Sequence, residues 1–103
     1  VVTFCIYLRK LNLPEAIITQ LLKAGTAIGS NYREANRAES KNDFIHKIGI
    51  VEKEASETEY CLEVIYESHI LDKNASAQLI PLMKESKELL SLFTSISKTS
   101  KKR

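Results

Sequence analysis

Two stretches of this 103-residue chain carry apolar side chains that step by four and three along the sequence. Between residues 17 and 35 the seam is Ile17, Leu21, Ala24, Ile28 and Ala35, with polar Asn31 at one step. Between residues 44 and 69 it is Phe44, Ile48, Val51, Ala55, Thr58, Leu62, Ile65 and His69. Steps of this kind put side chains on one face of an α-helix. Sustained over three to four heptads, they favour antiparallel helices crossing at about 20°. The expected fold is therefore all-α: an antiparallel up-and-down four-helix bundle whose first helix is cut short.

Four helices follow from the local signals. The first spans about Val2 to Leu11, and Asn12, Leu13 and Pro14 break it. Pro14 suits the first turn of the second helix, which runs to about Asn36. Arg37, Ala38 and Glu39 form a short connection. Ser40 stands three residues before Asp43, a variant of the capping box, and opens a third helix that ends at His69 or Ile70. Asp72 to Ala75 make the next turn. In the fourth helix, Leu82, Leu89, Phe93 and Ile96 form the seam, with Met83 and Leu90 beside it. Pro81 either kinks that helix or starts its main part. The bundle domain is expected over residues 1–98, with residues 99–103 a basic, disordered tail.

Charge is unevenly spread. Residues 1–47 carry seven basic and four acidic side chains, and residues 48–93 carry four basic and nine acidic. Residues 94–103 add Lys98, Lys101, Lys102 and Arg103 with no acid, which brings the chain to net +2. Arg33 and Arg37, one turn apart on the polar side of the second helix, repel slightly unless something acidic lies nearby. That acid could be Glu34 or Glu39, the Glu-rich third helix, or a nucleic-acid phosphate. Arg33, Arg37, Lys41, Lys47, Lys98, Lys101, Lys102 and Arg103 are the candidate nucleic-acid-binding residues.

A second set of residues lies off the main seams. Ile18, Leu22, Gly25 and Gly29 run beside the seam of the second helix, and Ile50, Cys61 and Val64 lie near Glu57 on the third. Glycine inside a helix costs up to about 1 kcal/mol relative to alanine, which makes sense where another backbone comes close. That backbone belongs either to the same bundle or to another subunit. All eight residues are candidates for an oligomer interface. Assembly also suits the size, because a small bundle with a short first helix buries a modest core.

Enzyme chemistry finds little support. His46 and His69 lack a second ligand at metal spacing. Di-iron bundles use Glu-x-x-His pairs, whereas Tyr66 stands three before His69 and Asp43 three before His46. There is no Gly-rich phosphate loop. No catalytic residue, cofactor or metal is assigned. No apolar run approaches the roughly 20 residues of a membrane span. Val1 to Leu8 lacks the basic start and cleavage site of a signal peptide. Cys5 and Cys61, without metal or CxxC spacing, fit a reducing cytoplasm.

The run from Gly25 to Ser40, GTAIGSNYREANRAES, carries a family resemblance. So do Asp43 to Ile50, DFIHKIGI, and Lys53 to Leu62, KEASETEYCL. They resemble the four helix bundle proteins encoded in intervening sequences of bacterial 23S rRNA genes, sometimes labelled 23S ribosomal protein. The accessory variability proteins of diversity-generating retroelements are similar. The likeness spans nearly the whole chain from the second helix onward. It departs from the family pattern at Cys61, where an aromatic residue is common. The resemblance implies a ring-like homopentamer without catalysis, with Asn31, Arg33, Glu34, Arg37 and Ser40 as signature positions. In the retroelement branch it implies binding to nucleic acid and a reverse transcriptase. Two readings follow: a homo-oligomeric, RNA- or nucleoprotein-associated adaptor, or a purely structural homo-oligomeric scaffold.

Overall fold

In the computed structural model, which describes residues 1–69 and 71–102, the chain forms four α-helices. They are α1 (Val2–Lys10), α2 (Glu15–Ala35), α3 (Lys41–Glu67) and α4 (Lys73–Lys102). No strand occurs among the described residues. The helices alternate in direction along a rod of 47 × 19 × 16 Å. α3 packs against α2 on one side and α4 on the other, and α1 closes the ring by packing on α2 and α4.

Each turn has a local cause. After α1, Asn12 takes the left-handed conformation at φ 60°, which asparagine tolerates better than most residues. Pro14 precedes α2, and its carbonyl accepts from the Ile17 and Ile18 amides. Ser40 is extended, and its hydroxyl accepts the Asp43 amide at 3.1 Å, capping α3. His69 lies beyond α3, exposed and left-handed at φ 54°, not on the buried seam where the heptad step places it. Asp72 caps α4 by accepting the Ala75 amide at 2.8 Å.

α4 begins at Lys73, so Pro81 lies inside it and does not open it. Proline there cannot donate to the Ala77 carbonyl, but both residues are exposed and water can serve that carbonyl. At the other end the helix continues to Lys102, so residues 99–102 form a helical turn. Ser97, only 3 % exposed, anchors the approach to that turn. Lys101 and Lys102 also face the negative end of the helix dipole. Ile70 and Arg103 lie outside the described residues.

The core has two parts. The larger joins Phe4, Cys5 and Leu8 of α1 to Ile18 and Leu21 of α2, Cys61, Leu62 and Ile65 of α3, and Leu79 of α4. The smaller holds Val51, Ala55 and Phe93, flanked by Ile28, Leu89, Leu90 and Ile96. Ile18 is completely buried while Ile17 is half-buried, so the seam of α2 turns one position toward α1. A helix with two neighbours buries a wider stripe than a single seam predicts.

Candidate nucleic-acid interface

The up-and-down order brings the C-terminus of α2, the N-terminus of α3 and the C-terminus of α4 to one end of the rod. Between α2 and α3 the chain keeps winding: the Asn36 amide donates to Tyr32, Arg37 to Glu34 and Ala38 to Ala35, each at 3.1 Å. The extended Ser40 then turns the chain into α3. Arg33, Arg37 and Lys41 ride on this corner, all exposed.

The fourth helix adds its own cations. The Phe93 ring meets Tyr32 at a centroid distance of 5.5 Å, tilted by 58°. α2 and α4 run in the same direction, each rising about 1.5 Å per residue. Counting onward from that contact brings Lys98 level with Arg37, and Lys101 and Lys102 level with Ser40 and Lys41. Residues 33–47 and 94–102 together hold seven basic and three acidic side chains. The fold thus joins two basic segments that lie far apart in sequence.

The arginine pair borders an open groove of about 470 Å³ lined by Gly29, Ser30, Arg33, Glu34 and Arg37. Neither arginine is ion-paired among the described residues. Lys47 differs from the other candidates. Its ammonium donates to a Glu34 oxygen at 2.9 Å, tying α3 to α2. That hydrogen bond, with the nearby charges of Glu34 and Asp43, raises the Lys47 pKa. Lys47, named among the nucleic-acid candidates, thus already has an acidic partner. Asn31 has a structural task, its amide donating to the Ala27 carbonyl at 2.8 Å.

The eight interface candidates separate. Ile18 and Cys61 are interior to the single chain, at 0 % and 4 % exposure, so neither offers a surface to another subunit. Both belong to the cluster that α1 completes, and that packing consumes the stripe beside the main seam. Leu22 is half-buried against the same cluster. Gly25 serves a contact within the bundle: a Cβ there would come within 2.7 Å of Val1 Cγ1. Gly29 faces open space. Ile50 is half-buried, Glu57 is exposed, and Val64 is 38 % exposed.

Other chemistry is sparse. His46 and His69 are both exposed, and no cluster of three metal-ligating side chains occurs among the described residues. Burial raises the pKa of both thiols, with Glu57 adding to the effect at Cys61, so neither is poised as a nucleophile. None of the helices is long and apolar enough to cross a membrane.

A sequence-family model described as 23S rRNA-intervening sequence protein matches residues 6–92. The chain belongs to this family. A solved structure from Bacteroides thetaiotaomicron, a protein of unknown function from the S23 ribosomal protein family, is similar. It shares 34 % identity over 94 % of each chain, with a TM-score of 0.70. No curated protein matches. The matched span includes Arg33, Arg37, Lys41 and Lys47 and stops before Lys98, Lys101 and Lys102. The match thus spans the corner between α2 and α3 and ends before the α4 lysines.

Two features of the corner escape a reading of the sequence. Tyr32, 39 % exposed and packed at a tilt against Phe93, sets an aromatic ring beside the cations. An aromatic residue preceding Arg33 was the available signal. The pairing of Glu34 with Lys47 spans two helices and has no signature in spacing.

Proposed function

We propose that this chain is a cytoplasmic, non-catalytic adaptor that assembles as a homopentamer and binds RNA through the basic end of its bundle. One observation carries the reading: the antiparallel order places Arg33, Arg37 and Lys41 at the same end as Lys98, Lys101 and Lys102. Phosphate binding is dominated by such clustered cations and weakens steeply with salt. The exposed Tyr32 beside them suits a base that leaves its stack. Membership of a family described by an rRNA intervening sequence supports RNA over other polyanions.

Reversing both arginines tests it. Arg33→Glu with Arg37→Glu is expected to weaken binding of a labelled RNA duplex about a hundredfold at low salt, with oligomer mass and helical spectrum unchanged. Unchanged affinity would move the site elsewhere.

A second reading, a structural scaffold without nucleic acid, is favoured by apolar side chains left in water. Tyr60 is 64 % exposed, Ile80 57 %, and Ile6 and Leu92 52 %. On that reading the charges serve assembly, and the same double change lowers the mass seen by light scattering.

A further inference from the structure

The arginine groove contains its own anion. Glu34 lines it together with Arg33 and Arg37, and it precedes Arg37 by three residues. An acid one turn before a base is a natural helical ion pair. Formed here, that pair would neutralise half of the cationic site. It is not formed: the carboxylate bonds instead to Lys47 on the neighbouring helix, at 2.9 Å. Lys47 is the more sheltered partner, its side chain 29 % exposed against 56 % for Glu34, and it does not line the groove.

Building on the RNA reading above, we infer that Lys47 is a positioning residue: it holds the Glu34 carboxylate toward α3 and so leaves Arg33 and Arg37 free for phosphate oxygens. The chemistry favours this division of labour. A phosphate between two guanidiniums one turn apart relieves their mutual repulsion and accepts paired hydrogen bonds. A lysine ammonium suits a single carboxylate contact on a flexible stem. Removing Lys47 releases Glu34 to its next partner, and the nearest free base on the same helical face is Arg37. Lys47 thus governs affinity without touching RNA.

The test is a cycle of variants titrated with a fluorescently labelled RNA duplex. Lys47→Met is expected to weaken binding about two- to fivefold, the range of an exposed ion pair gained at the arginines' expense. Lys47→Arg, which keeps the pair, should bind as the parent does. In a Glu34→Gln background, Lys47→Met should have no effect, because no carboxylate remains to be released. An equal loss in both backgrounds would show Lys47 touching phosphate itself and overturn the inference while the RNA reading stands. No effect of Lys47→Met in either background would overturn it too. Absence of salt-sensitive binding by the parent protein would remove the RNA reading and this inference together. Melting curves of each variant separate these results from loss of fold.

Discussion

The half of the rod that α1 covers and the half it does not are built to different standards. Where α1 lies between α2 and α4, four helices surround a cluster of nine buried side chains. Its nine residues reach only about 13 Å, and they end at Val1 against Gly25. Beyond that point three helices enclose a smaller cluster, Val51, Ala55 and Phe93 with half-buried neighbours, and Ala35 and Ile48 are buried farther along. Ile28 and Leu89 line the cleft that opens below Val1, and Leu92 is 52 % exposed. The covered half holds the larger core, and the uncovered half holds the basic corner. Cations cluster where there is least apolar packing to disturb, and where water can hydrate them when no ligand is bound.

The sharpest way to break this comparison is to remove equivalent bulk from each half. Leu62, 1 % exposed in the covered cluster, should lose about 2–5 kcal/mol on change to Ala. Ile28, half-buried on the open cleft, should lose only about 1 kcal/mol on the same change. Denaturant melts of the two variants give both numbers. Equal losses would mean that the uncovered half is as well packed as the covered one.

A smaller effect isolates the corner. Ser40 caps α3 at the edge of the basic end, and Ser40→Ala should cost about 1 kcal/mol. The loss should be local. Amide exchange is expected to quicken at Asp43 and its neighbours in the first turn of α3, while the amides of Leu62 and Ile65 in the covered half hold their protection. Uniform quickening along α3 would instead mean that the two halves open as one unit.

The fold was legible because its signals are local and periodic. The steps of α2 and α3, the Ser40 cap and the break at Asn12 to Pro14 all act within one or two turns of themselves. The errors arose where a distant segment decides. Ile18 and Cys61 read as surplus apolar residues until α1 is laid beside them. Pro81 left two alternatives, a kink or a start, and the Asp72 cap, which begins the helix earlier, removes only the second. For the basic corner, the arginines could be named from the sequence, but their meeting with the α4 lysines depends on helix order. The restraint of Glu34 by Lys47 joins residues thirteen apart on different helices, and no one-dimensional pattern marks it.

The smallest effect lies at the border of the two halves. Glu59 follows Thr58, which lines the cleft with Val1, and it borders a groove with Lys87 and Leu90 of α4. Its pKa is raised from the usual 4.5, first by desolvation and then by the charge and hydrogen bond of Glu63; Lys87 opposes the shift. A carboxyl whose folded pKa exceeds its unfolded value binds its proton more tightly in the fold. Its favourable contribution is therefore complete below the unfolded pKa and lost as pH rises through the folded one. Glu59→Gln should accordingly raise Tm slightly at neutral pH, and the gain should vanish well below pH 4.5. Glu63→Gln should reproduce part of the gain, since it removes the neighbouring charge. A gain independent of pH would place its origin in side-chain packing against α4 and leave the strain at this border without an electrostatic cause.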